Sequence, residues 1–168
     1  MVRVYIPVTL AMLQGLVADG LLHARSGTAF AVTPKLRESY AEGDDDELAE
    51  VALREAALAS LRLLAIDGDH QAEFPVRRAV LVADVSDATD RPDLDDAVVR
   101  LAGPVGMSDV IAAYVDNATA EPAVAAAVQV IDDADLGDED AELTVGDAQD
   151  HDLAWYATQE LAFLLELL

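Results

Sequence analysis

Residues 44–85, DDDELAEVALREAALASLRLLAIDGDHQAEFPVRRAVLVADV, decide the fold. The first part, residues 44–65, is the longest uninterrupted helical pattern in the chain. The last part, RRAVLVADV at 77–85, contains its most apolar strand-like run, in which Asp84 is the one charge after Arg78. A helix with a wide apolar face feeding a buried strand is the nucleus of a layered α/β or α+β domain. Asp44, followed three residues later by Glu47, gives a capping-box-like start, and the carboxylates there suit the helix dipole. The polar arc carries Glu47, Glu50, Arg54, Glu55 and Arg62, and the opposite half Leu48, Ala52, Leu53, Ala56, Ala57, Leu63 and Leu64. So much apolar surface exceeds what one packed layer needs. The helix is therefore expected to be well covered or to form an interface.

Upstream, Val2, Val4 and Ile6 alternate with Arg3 and Tyr5, the period of a half-buried strand, which Pro7 is expected to stop. Thr9 is placed to cap a helix, LAMLQGLVADG, that closes on Gly20 and carries Leu10, Leu13, Leu16 and Val17 on one stripe. Gly15 within it suggests a close approach by a neighbouring element. Thr28–Val32 reads as a second strand, and Thr33–Pro34 as the cap and first residue of a short helix reaching about Tyr40.

Downstream, SDATDRPDLDD is an acidic loop, Ala97–Leu101 a strand, Gly103–Gly106 a turn and Val110–Val115 another strand. Glu121–Ile131, with Pro122 in its first turn, is an alanine-rich helix. DDADLGDEDAE is expected to be a loop, Leu143–Val145 a short extended piece, and HDLAWYATQELAFLLELL a C-terminal helix. The expectation is a single α+β domain over residues 1–168. It has a mixed sheet of about five strands with helices mainly on one face, ferredoxin-like or an elaboration of that, with a three-layer α/β fold as the alternative. No repeat at a fixed period and no domain boundary is visible.

The chain has 168 residues, enough for one domain, and a formal net charge of -23 from 33 acids against 10 bases. That sign argues against nucleic acid and anionic membrane as partners, both of which need clustered Lys and Arg. It favours a basic or cationic protein partner, although an acid-rich proteome would leave the same signature. Only 5% of residues are aromatic, so Leu, Val, Ile and Ala must build the core. There is no cysteine, hence no disulfide, thiolate nucleophile or sulfur metal ligand. MVRVYIP lacks the basic region and long apolar stretch of a secretion signal, and no apolar tract is long enough for a membrane span. A cytoplasmic protein is expected.

The segments GTAFAVTPKLRE, EGDDDELAEVAL, RPDLDDAVVRLAGPV and DLAWYATQELAFLLELL together resemble a family of uncharacterised actinobacterial proteins, a domain of unknown function. The resemblance spans nearly the whole length. It implies a cytoplasmic actinobacterial origin and carries no activity, cofactor or catalytic residue.

The acid clusters invite a divalent-cation reading, since hard cations want several oxygen ligands at fixed spacing. The candidate set is Asp67, Asp69, His70 and Glu73, in the connection between the long helix and the strand that follows. Asp93, Asp95 and Asp96 form another acidic group, and residues 132–142 a third that misses the calcium-loop spacing, with Asp138 in the glycine position. No serine sits in a G-x-S-x-G elbow, and no phosphate-cradling glycine motif occurs. His151, after Asp150 at an expected helix start, is a candidate neutral base. On the expected C-terminal helix, Trp155, Tyr156, Gln159, Glu160 and Phe163 lie outside the core stripe and form a candidate ligand or partner surface. A chain that stops at LLELL is expected to dock or dimerise. The favoured function is a non-catalytic protein-interaction or small-ligand-binding protein, homo-oligomeric through that helix. The alternative is a carboxylate-based, divalent-cation-dependent enzyme or sensor.

Overall fold

The computed structural model describes residues 1–67 and 73–168. Nine strands are described: β1 (Val2–Val8), β2 (Leu21–Leu22), β3 (Thr28–Phe30), β4 (Ala79–Val85), β5 (Ala88–Asp90), β6 (Val98–Leu101), β7 (Val105–Gly106), β8 (Val110–Val115) and β9 (Ala154–Ala157). The helices are α1 (Leu10–Asp19), α2 (Pro34–Ser39), α3 (Asp45–Asp67), α4 (Glu121–Asp135), α5 (Glu139–Gln149) and α6 (Leu161–Glu166). Seven strands form one sheet in the order β5-β6-β3-β1-β4-β8-β9, and β2 pairs with β7 apart from it. The fold is α+β. Every described pairing in the large sheet is antiparallel, where a mixed sheet of about five strands was expected.

The alternation of each strand sorts its residues between two faces. Val4, Ile6, Val8, Leu81 and Val115 turn to one face and are covered by Leu10, Leu13 and Leu16 of α1 and by Leu161, Leu164 and Leu165 of α6. Tyr5, Val80 and Val82 turn to the other, against Leu48, Ala52, Ala56 and Ala57 of α3 and Leu36 of α2. The small alanines let the α3 backbone lie close over the sheet. Beyond them, Leu61 and Leu64 of α3 meet Val124, Ala127 and Ile131 of α4 and Val145 and Ala148 of α5. The wide apolar face of α3 is thus divided between the sheet and a helical layer outside it. Most of the helical residues lie on this side, and α1 and α6 cover the other.

The local signals largely act as expected. Thr9 Oγ1 accepts a hydrogen bond from Met12 N at 3.2 Å, Gly20 takes the left-handed φ of 78°, and Thr33 caps α2 from Leu36 N at 3.1 Å. Asp44 accepts from Glu47 N at 2.9 Å and starts α3. Buried Ser60 Oγ donates to Val8 O at 2.7 Å and accepts from Ala79 N at 3.0 Å, tying α3 to the ends of β1 and β4.

Several elements depart from the expectation. Pro7 does not stop β1: the β1–β4 ladder runs through Pro7↔Val80 to Val8↔Ala79. The missing N–H is tolerated because the ladder from β1 to β3 is reduced to the single pair Tyr5↔Phe30. β3 ends at Phe30, two residues short of Val32. Gly15 has open space where a Cβ would stand, so no close approach explains it. The acidic run after Ile131 does not form a loop throughout. α4 continues to Asp135, and Asp138 caps α5 by accepting from Ala141 N at 3.1 Å. Glu139, Asp140 and Glu142 then sit in the first turn of α5, where the dipole favours them, and Leu143–Val145 is helical. Finally, the C-terminal segment is not one helix but β9, a short 3-10 turn and α6.

Candidate functional site

β4 and β8 are paired through Ala79↔Val115, and one residue beyond that pair Arg78 meets Asp116. Both are sealed from solvent, at 1% and 0% exposure. Asp116 Oδ2 accepts from Arg78 N at 2.8 Å and from Arg78 Nε at 2.9 Å, and Oδ1 accepts from Nη2 at 2.7 Å. The guanidinium also donates from Nη1 to Gln149 Oε1 and from Nη2 to His151 O, each at 2.8 Å. Gln149 Nε2 in turn donates to Arg54 O at 3.1 Å, joining the end of α5 to α3. Four of the five guanidinium hydrogens that arginine carries are used, which leaves one on Nη1.

This network forms one end of a cleft of about 440 Å³ between α3 and the sheet. Its floor is Tyr5 of β1 and Tyr114 of β8, opposite Val82 and Val80 of β4 and therefore on the same face. α3 supplies Asp46, Ala49, Glu50, Leu53, Arg54 and Ala57 along one wall, and residues 149 and 151–153 close the other. Burial, with the neighbouring Tyr114 adding to it, raises the Tyr5 phenol above its ordinary value and keeps it a neutral hydrogen-bond donor. The volume lies in the ordinary range for small-molecule sites, and the lining is more polar than most, with seven charged or polar residues beside the two tyrosines.

The charges of the cleft are arranged with a direction. Arg54 and Arg78 stand together at the Gln149 end, while Glu50 and Asp46 lie one and two turns back along α3. Eight of the chain's ten bases are ion-paired with a carboxylate. Among the described residues Arg54 has no such partner, although acids outnumber bases more than three to one.

The surface expected from the C-terminal segment is not brought together. Trp155 pairs across the strands with Tyr114 and lies on the cleft side of the sheet, 56% exposed. Tyr156 pairs with Ala113 and packs against the opposite core. Gln159 and Glu160 are exposed in the 3-10 turn, where Glu160 Oε1 accepts from Ala157 N at 2.9 Å, and Phe163 stands out from α6 at 70% exposure. Of the expected cation ligands, Asp67 is 3.6 Å from Arg25, Glu73 is exposed, and Asp69 and His70 lie outside the described residues. Among the described residues no group of three or more His, Asp or Glu is placed to hold a metal ion. In the second acidic group, Arg91 holds Asp93 at 2.8 Å and Ser39 Oγ donates to Asp96 at 2.5 Å. His151 reaches the cleft at the end of a helix rather than at the start of one, and its carbonyl is committed to Arg78.

Sequence reasoning missed Tyr5, Tyr114, Arg78, Asp116 and Gln149 as a site. The signal that was present is a charge at each end of an apolar run, with Arg78 just before AVLVADV and Asp116 just after VIAAYV. Two strands paired antiparallel place such charges together.

The fold and cleft define an α+β protein in which a seven-stranded antiparallel sheet and one long helix enclose a charged, aromatic-floored site. Residues 2–165 match a family of unknown function, DUF6912, and the chain belongs to that family. No curated protein and no solved structure matches it. Among the described residues no helix is long and apolar enough to cross a membrane.

Proposed function

We propose that this protein binds a small polar organic molecule in the cleft between α3 and the sheet, and holds it without reacting with it. The buried Arg78–Asp116 pair in the cleft wall carries this reading. Apolar residues of similar volume would serve stability equally well or better at such a place. An ion pair tied to Gln149 and His151 instead fixes a rigid polar end to the cleft. Polar groups that hold one another suit recognition more than activation of a nucleophile.

The test is a binding screen of small anions, cations, zwitterions and neutral polar molecules. It is read by the fluorescence of Trp155, the sole tryptophan and the cross-strand neighbour of Tyr114, and by the NMR signals of Tyr5 and Tyr114. Saturable binding is expected, and Leu53→Trp, followed by the tyrosine NMR signals alone, should abolish it by filling the cleft. Hits that bind Leu53→Trp as well as the parent protein would overturn the reading.

A second reading, partner binding or self-association, is favoured by one observation. β9 is an edge strand with Trp155 exposed on it, and Phe163 and Leu167 are exposed just beyond. A cysteine-free, strongly acidic chain suits the reducing cytoplasm and a basic partner. Sedimentation equilibrium of the protein beside Trp155→Ala and Phe163→Asp separates the cases. Monomeric mass for all three would remove the homo-oligomer.

A further inference from the structure

We infer that the ligand of the α3 cleft is a zwitterion of short-peptide size, with its carboxylate at Arg54 and its ammonium group at Glu50 and Asp46. The inference rests on the cleft being a ligand site and adds the class of ligand.

Three features of the cleft converge on it. The first is the guanidinium of Arg54, which has no carboxylate partner among the described residues. Glu50 lies four residues before it, the spacing and order that favour a helical Glu–Arg pair, yet the two are not paired. Arg54 is exposed and lines the cleft at the end where Gln149 joins it to Arg78, so its guanidinium is placed to hold a carboxylate there. The second feature is the opposite end. Asp46 lies in the first turn of α3 and Glu50 one turn on, with Tyr5 near Asp46 on the sheet. Two carboxylates and a phenol oxygen make a seat for an ammonium group and repel an anion.

The third feature is length. Asp46 and Arg54 are eight residues apart, which is about 12 Å along a helix axis, and Glu50 and Arg54 about 6 Å. A free amino acid, whose charges lie about 3 Å apart, reaches about 9 Å with a hydrogen bond of about 2.9 Å at each end and falls short of the longer span to Asp46. A chain of two or three residues, at about 3.4 Å each, spans about 7–10 Å and fits between. Tyr5, Tyr114, Leu53 and Leu153 form an apolar and aromatic floor beneath that span, suited to apolar side chains on the ligand.

The experiment compares four forms of one probe, leucyl-phenylalanine, on the full chain: both ends free, N-acetylated, C-amidated, and blocked at both ends. Trp155 fluorescence and the tyrosine ring signals report binding. The free dipeptide should bind most tightly, and either block should weaken it by about tenfold or more, as losing a charge-assisted contact does. Arg54→Gln should make the free and amidated forms bind alike, and Glu50→Gln with Asp46→Asn should do so for the free and acetylated forms. Arg3→Gln, which removes a charge at an exposed ion pair outside the cleft, should change neither comparison. Equal binding of the acetylated and free forms, or failure of all four to bind, would overturn the inference. The reading of the cleft as a ligand site would fall only if the wider screen also gave no binding that Leu53→Trp blocks.

Discussion

Replacing Asp116 by alanine tests the central structural claim, that an ion pair without solvent access organises the cleft. The carboxylate accepts three hydrogen bonds from Arg78, at 2.7, 2.8 and 2.9 Å, and neither side chain is exposed beyond 1%. Asp116→Ala removes all three and leaves a guanidinium buried with only Gln149 and the His151 carbonyl as acceptors. Removing one member of such a pair costs about 3–5 kcal/mol, because the remaining charge stays desolvated. A domain of this size loses about 2–4 °C of Tm per kcal/mol, so the midpoint should fall by about 6–20 °C.

Urea unfolding followed by far-UV circular dichroism gives the free energy, and calorimetry the midpoint. Asp93→Ala is the control, because it removes a carboxylate in a similar two-point contact with Arg91 at the surface and should leave the midpoint nearly unmoved. Arg78→Met combined with Asp116→Leu should recover most of the lost stability, since no charge is then stranded. The same double variant should lose the ligand. A loss below about 1 kcal/mol in Asp116→Ala, the worth of a surface pair, would refute the reasoning.

Two further substitutions test the packing of α3. Ser60→Ala leaves Val8 O and Ala79 N buried without the hydroxyl that bridges them, and should cost about 2–4 kcal/mol in urea unfolding. A cost under about 0.5 kcal/mol would mean that other groups satisfy that junction. Glu55→Gln tests a titrating carboxyl. Burial, with nearby Asp95 adding to it, raises Glu55 above its ordinary 4.5, so the ionised form is penalised in the folded protein at neutral pH. The glutamine variant should therefore be the more stable at pH 7. Its advantage should shrink as pH falls through the raised folded value and vanish below the unfolded one, where Glu55 is protonated in both states. An advantage that persists unchanged to low pH would contradict the cause assigned.

The elements legible in the sequence were those whose local signals agree with their packing. α1, α2 and α3 begin at Thr9, Thr33 and Asp44 as their caps indicate, and β4 and β8 are apolar runs with no helical competitor. The elements misread are those where tertiary pairing outweighs the local pattern. α5 was hidden because its carboxylates resemble a solvated loop, although four of them occupy the N-cap and first turn, where a helix wants them. β9 was hidden because Leu153, Ala157, Leu161 and Leu164 follow one another at helical spacing. In the folded chain Ala154–Ala157 pairs with β8 instead, and the strand preference of Trp155 and Tyr156 was the signal against the helix. β5, three residues inside an acidic run, had no pattern to show. The cleft was illegible for a different reason. Its residues come from α3, the strands β1 and β8, the residue before β4, the end of α5 and the α5–β9 connection, and only the register brings them together.

The misread C-terminal segment and the cleft are linked by one geometric requirement. The β8–β9 register places Ala154 opposite Val115, and carried one residue further it sets Leu153 opposite Asp116. Leu153 packs into the core that holds Tyr5 and Val80, and His151, two residues earlier, gives its carbonyl to Arg78. A continuous helix from Asp152 would turn that segment away from β8. It would remove both the cover over Asp116 and one acceptor of the guanidinium, and water would reach the pair. The low exposure of Arg78 and Asp116 therefore requires β9 to be a strand. Any sequence of this kind that keeps an arginine before β4 and an aspartate after β8 must also keep an extended segment there, or lose the wall of its cleft.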